Sequence, residues 1–148
     1  MAGLLIIAHA PLATALKSCA SHVWPTLPAR LEALDVRADA SVPDSVEEAQ
    51  ALLARVVDAQ GVLVLTDVFG ATPCNVAQRL AAPSVRIVTG VNLPMLLRAV
   101  SYAQEPLELL TQRATAGGTT GIMQLAYTAP QQQTLKATND PTGHHHQQ

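Results

Sequence analysis

A chain of 148 residues, 49% apolar, 3% aromatic and carrying a formal charge of −2, has the length for one domain around an aliphatic core that removes roughly two thirds of its unfolded surface from water. The scattered Lys and Arg residues give no electrostatic footprint for nucleic acid, and no apolar run approaches the roughly 20 residues a membrane helix needs. Two cysteines, Cys19 and Cys74, without Cys-x-x-Cys spacing read as reduced structural thiols; with no basic leader before the first strand, a cytoplasmic location is expected.

The first apolar run, Leu4-Leu5-Ile6-Ile7-Ala8, reads as a buried strand ending at His9. Pro11 sits where an N1 proline would, and Leu12, Leu16, Cys19, Ala20 and Val23 recur at helical spacing, which predicts a helix to about Ser21. Trp24-Pro25 and Leu27-Pro28 end it, and the alternation in Leu34-Asp35-Val36-Arg37-Ala38 predicts a weaker, edge strand. Asp44 is the expected cap of a second helix, with Glu47 as its capping-box partner and Val46, Ala49, Leu53, Val56 and Val57 on one face.

A second apolar run, Gly61 to Thr66, predicts a strand that ends at Asp67 and feeds the turn Val68-Phe69-Gly70-Ala71-Thr72-Pro73. Thr72 is the expected cap of a third helix, with Pro73 at N1 and the helix reaching Leu80. Val85 to Thr89 predicts another strand, ending in Gly90-Val91-Asn92-Leu93-Pro94, and Met95 to Tyr102 the next helix. A last helix is expected from about Glu105 to Ala116, broken by Gly117-Gly118, and then a strand near Gly121 to Ala126. This alternation predicts a three-layer α/β/α fold, a mainly parallel sheet of four strands with right-handed crossovers, and His9, Asp67 and Gly90 on one rim. The final strand follows no crossover helix, so it is an edge strand, antiparallel, or lent to a neighbouring subunit. Residues 1–127 are expected as the folded domain, and the Gln-rich stretch 128–148 as a disordered polar tail.

The carboxyl ends of parallel strands are where open α/β sheets place their chemistry. There, an aspartate bonded to one ring nitrogen of a histidine fixes which nitrogen is free to react. His9 and Asp67 are such a pair if their strands are neighbours; otherwise His9 only ends a strand and Asp67 only caps a turn. The turn through Gly70, Ala71 and Thr72 offers backbone N–H groups at a helix start, an anion site. The Thr72 hydroxyl either caps the helix or donates to a phosphate oxygen. Asn92 and Pro94 either line the same pocket or make a plain turn before a helix. Leu12, Phe69, Leu93 and Met95 are docking candidates near His9 or ordinary core.

Three segments in order, Leu5-Ile6-Ile7-Ala8-His9, Leu65-Thr66-Asp67-Val68-Phe69-Gly70-Ala71-Thr72-Pro73-Cys74-Asn75 and Gly90-Val91-Asn92-Leu93-Pro94-Met95-Leu96, make the chain resemble the mannose-type EIIA domains of the bacterial phosphoenolpyruvate-dependent sugar phosphotransferase system. The resemblance covers about residues 3 to 126. It implies a phosphotransferase in which His9 takes a phosphoryl group from the phosphohistidine of HPr, through Nε2, with Asp67 orienting it and no metal or cofactor. It also implies delivery to an EIIB partner or a regulatory target, association with a membrane permease without insertion, and a homodimer with exchanged final strands. The family often has Gly-Gly-Ser-Pro and an aromatic where this chain has Gly70-Ala71-Thr72-Pro73-Cys74: Thr72 keeps the hydroxyl, and Cys74 changes the docking surface. Ala10-Pro11 replaces the glycine that commonly follows the histidine.

Other readings stay open on the sequence. The EIIA-like subunit of a dihydroxyacetone kinase resembles the same family. A histidine phosphatase would carry an arginine directly before the histidine, where this chain has Ala8. A hydrolase using Thr72 or Cys74 lacks a nucleophile elbow, and a non-catalytic ligand-binding module lacks a Gly-x-Gly-x-x-Gly or Walker lysine. His144 to His146 on the polar tail read as an adventitious metal chelator, and His22 as a surface residue.

Overall fold

The structure, a computed structural model, describes residues 1–127; the polar stretch expected as a tail and its three histidines lie outside the described residues. Its elements are β1 (Gly3–His9), α1 (Leu12–Val23), β2 (Leu31–Val36), α2 (Val42–Val56), β3 (Val62–Thr66), α3 (Thr72–Gln78), β4 (Val85–Val88), α4 (Leu93–Ser101) and α5 (Leu107–Thr120). The four strands form one sheet in the order β2-β1-β3-β4 with every pairing parallel. β1 and β3 are central and covered on both faces, which is why their sequences are unbroken apolar runs rather than alternating ones.

Alternate strand residues feed two separate cores. Leu4, Ile6 and Ala8 of β1 and Leu63 and Leu65 of β3 pack under α1, α4 and α5, while Leu5, Ile7, Val62 and Val64 pack under α2 and α3. The three-layer α/β/α architecture is therefore as the sequence predicts. Each Leu or Ile buried in these layers contributes about 1.5–3 kcal/mol.

Helix starts differ from the sequence reading. Ser41, not Asp44, caps α2: its Oγ accepts the Asp44 N–H at 3.2 Å, and Asp44 sits inside the first turn, its charge near the positive end of the helix dipole. Pro11 lies just outside α1 rather than at N1. The cap there comes from another element, because Asp35 of β2 accepts the Thr14 N–H at 3.1 Å and the Thr14 hydroxyl at 2.5 Å. Ala71 precedes α3 with extended backbone and Thr72 is the first helical residue, so the Thr72 hydroxyl does not cap.

The expected break at Gly117-Gly118 is also overturned, because α5 runs through both glycines to Thr120. A Cβ at Gly117 would stand 2.7 Å from Cβ of Arg98, and one at Gly118 would stand 2.8 Å from Cε of Met95. The glycines are there so that α5 can lie against α4, and that close approach outweighs their poor helix propensity. Beyond α5 the expected strand at Gly121–Ala126 does not form within the chain. Residues 122–127 have no regular structure, and Ile122, Met123, Leu125 and Tyr127 are exposed.

Candidate functional site

Because β1 and β3 are neighbours with Ile7 opposite Thr66, the residues that follow these partners meet above the sheet. Nδ1 of His9 lies 2.7 Å from Oδ2 of Asp67, and the same oxygen accepts the His9 backbone N–H at 2.9 Å. Oδ1 of Asp67 accepts the Val68 N–H at 2.8 Å. Burial pushes the Asp67 carboxyl up, but the hydrogen bonds from the His9 N–H, the His9 ring and the Val68 N–H outweigh it and hold the group below the ordinary carboxylate value. An ionised carboxylate only accepts, so at neutral pH the hydrogen on this contact belongs to Nδ1 and the lone pair of the neutral ring is on Nε2.

The two side chains have opposite environments: that of Asp67 is 9% exposed and that of His9 54%. The anchor is covered and the reactive ring faces out. The end of β3 is fastened further by the segment after β4, since the Gly90 N–H donates to the Asp67 carbonyl at 3.0 Å and the Val91 N–H to the Thr66 carbonyl at 2.9 Å. His9, Asp67 and Gly90 thus share the rim that the sequence pattern predicts. Gly70 turns the chain after Phe69 with φ +85°, a conformation that suits glycine, and nothing stands within 4 Å of where a Cβ would be.

His9 opens into a cleft of about 350 Å³ that is also lined by Ala10, Val36, Arg37, Ala38, Ala40, Val42 and Thr72. Of the three phosphate-loop candidates, Thr72 lines this cleft with its hydroxyl free of any capping bond, while Gly70 and Ala71 form the turn that leads to it. Phe69 is 76% exposed, and Leu12 and Val68 are exposed as well, all within three residues of His9 or Asp67 in sequence. The third strand end is different. Met95 is buried in the core and Leu93 packs against it, and Asn92 caps α4, its Oδ1 accepting the Met95 N–H at 2.9 Å while its Nδ2 donates to the Gly118 carbonyl at 3.1 Å. Asn92, Leu93 and Met95 hold α4 against α5 and are not among the cleft lining.

The sequence reading has Arg37 only as part of a strand and gives the β2 side no place in the site; in the structure β2 ends at Val36 and Arg37 lies beyond it, in the cleft lining. Its signal is the register: Val36 stands opposite His9, and the Ala10 N–H donates to the Val36 carbonyl at 3.0 Å, so the residues after β2 border the histidine. Among the described residues no cluster of His, Cys, Asp and Glu suits a metal ion, and no helix is long and apolar enough to cross a membrane.

Residues 3–111 match the model of the EIIA-man family, described as PTS system fructose IIA component. The chain belongs to the EIIA-man family. As a member it is a phosphocarrier component of the phosphotransferase system, a role that implies HPr and EIIB partners in general. Among solved structures it is similar to the phosphotransferase system component EIIA from Streptococcus agalactiae, at 27% identity and a TM-score of 0.72, covering 84% of this chain and 97% of that one. The PTS IIA protein associated with the fucose utilization operon from Streptococcus pneumoniae matches at 26% identity and 0.65, covering 84% and 96%. The mannose/sorbose specific IIA subunit from Enterococcus faecalis, at 23% identity and 0.77, covers 86% of this chain and 97% of its own and shares the fold. No curated protein matches the chain.

Proposed function

We propose that this EIIA-man protein carries its phosphoryl group on Nε2 of His9, receiving it from the phosphohistidine of HPr and passing it to an EIIB partner or a regulatory target. The observation that supports this reading most is the 2.7 Å contact between His9 Nδ1 and the covered Asp67 carboxylate, which leaves Nε2 as the free nitrogen of an exposed ring. In the transfer, the N–P bond of the donor breaks and the Nε2–P bond forms while the proton stays on Nδ1. Such phosphoryl transfer is loose and in line, so the protein supplies position and charge rather than acid–base work. Asp67 stabilises the positive charge that the ring gains as Nε2 bonds to phosphorus. The Thr72 hydroxyl and the backbone of Gly70 and Ala71 meet the phosphoryl oxygens.

Leu12, Val68 and Phe69 form the apolar rim on which the donor and acceptor dock, an area of modest size that fits a transient encounter. The exposed apolar residues of 121–127 pair with a second copy of the chain, giving a homodimer with exchanged final strands. The test is intact mass after incubation with phosphoenolpyruvate, the general phosphotransferase enzyme and HPr. The wild type is expected to gain one acid-labile phosphoryl group and His9→Ala none; no gain by a folded wild type would reject the reading.

A further inference from the structure

Sheet order places β1 between β2 and β3, so His9 is bordered on one side by the Asp67–Thr72 turn and on the other by the segment that links β2 to α2. That second side carries Arg37, the one Lys, Arg, Asp or Glu among the described residues lining the cleft. We propose that Arg37 is a phosphoryl ligand: when His9 is phosphorylated, its guanidinium exchanges Asp39 for the phosphoryl oxygens. The inference rests on the reading that His9 carries the phosphoryl group.

The phosphoryl oxygens carry about −1.5 to −2 charges at neutral pH, as they do on other side chains, while the positive charge gained by the ring is already paired with the ionised Asp67 carboxylate beside it. Thr72 and the backbone amides answer this with dipoles only. Among the described residues lining the cleft Arg37 is the only full positive charge, and its planar fork of donors matches phosphate geometry.

Val36 is paired with His9 in the sheet and its carbonyl holds the Ala10 N–H at 3.0 Å, so Arg37 starts from a fixed point one residue beyond the partner of the phosphorylated residue. Adjacent strands lie about 4.8 Å apart, which an arginine side chain spans. Arg37 is also available. Its contact is a 3.3 Å ion pair with Asp39, two residues on, and both side chains are exposed, 72% and 79%. Such a pair contributes little and is readily exchanged.

The experiment compares wild type, Arg37→Ala and Arg37→Lys with Arg113→Ala, which removes one exposed cation far along α5 and controls for net charge. Each full-length protein is equilibrated with phospho-HPr, and the transfer equilibrium is read by intact mass. The ionisation of the phosphoryl group is then followed by phosphorus NMR against pH. Arg37→Ala is expected to be phosphorylated on His9 but to shift the equilibrium toward HPr about fivefold, with a higher phosphoryl pKa than wild type. Arg37→Lys should stand between them and Arg113→Ala should match wild type. An Arg37→Ala equilibrium and phosphoryl pKa equal to those of wild type, or an equal shift in Arg113→Ala, would overturn the role of Arg37 while leaving the phosphocarrier reading intact. A wild type that takes no phosphoryl group would overturn both.

Discussion

Oδ2 of Asp67 accepts two hydrogen bonds from the same residue, the backbone N–H of His9 at 2.9 Å and its ring Nδ1–H at 2.7 Å, across 58 residues of sequence. The backbone bond fixes the carboxylate to the end of β1, and the ring bond then fixes the imidazole to the carboxylate. One oxygen therefore sets position, orientation and tautomer together, and Val68 holds the other. Replacing Asp67 by Asn keeps the shape and lets the ring choose its tautomer. We expect Asp67→Asn to slow phosphorylation of His9 by about 10- to 100-fold, measured as the initial rate of label transfer from phospho-HPr.

The same carboxylate predicts a pH dependence. Its folded pKa is lowered, chiefly by the His9 and Val68 hydrogen bonds working against burial. A group lowered on folding contributes stability that is fully present above its unfolded value, about 3.9, and is lost as pH falls through the folded value. The stability difference between wild type and Asp67→Asn should be constant above about pH 5 and shrink below about pH 4, as read by urea unfolding at a series of pH values. A difference that grows on acidification would contradict the assignment.

Thr72 separates capping from ligand binding. Since Ala71 precedes the helix with no side-chain cap and the Thr72 hydroxyl makes no hydrogen bond to another described residue, Thr72→Ala should leave thermal stability within about 0.5 kcal/mol of wild type. It should lower the rate of phosphoryl transfer about tenfold, the size of one hydrogen bond to a charged group. Thr72→Ser should restore the rate.

Gly117 tests the packing of α5. In an open helix Gly→Ala gains about 1 kcal/mol, yet here the new Cβ would stand 2.7 Å from Cβ of Arg98 and 3.4 Å from the Pro94 carbonyl oxygen. The clash involves groups close to the α4 backbone that cannot swing away, so Gly117→Ala should destabilise by about 1–3 kcal/mol. Thermal unfolding gives the sign directly.

Asn92 shows where sequence and structure part. A polar residue at a strand end next to a proline reads equally well as a pocket residue or a helix cap; the Met95 N–H bonded to its Oδ1 decides for the cap, and the Gly118 carbonyl bonded to its Nδ2 turns the rest of the side chain toward α5. The two central strands were legible because burial on both faces demands continuous apolar runs, and His9 and Asp67 because those runs stop at them. Asp35 as the cap of Thr14 and Arg37 beside His9 were not legible, since both depend on β2 pairing with β1, a contact that leaves no local pattern. Gly117-Gly118 misled for a related reason: local propensity says break, and the neighbouring helix says close approach. Asn92→Ala should cost about 1–2 kcal/mol in stability, the range of a lost cap, with phosphorylation of His9 unchanged in the folded protein.

The proposed role of Asp67 is to hold Nδ1 of His9 so that Nε2 reacts. The most direct test is a long-range proton–nitrogen spectrum of the imidazole in nitrogen-labelled protein, before and after charging by phospho-HPr. The hydrogen is expected on Nδ1 before transfer, and a phosphorus coupling to Nε2 after it. Phosphorus bonded to Nδ1, or a free protein whose ring carries its proton on Nε2, would contradict it.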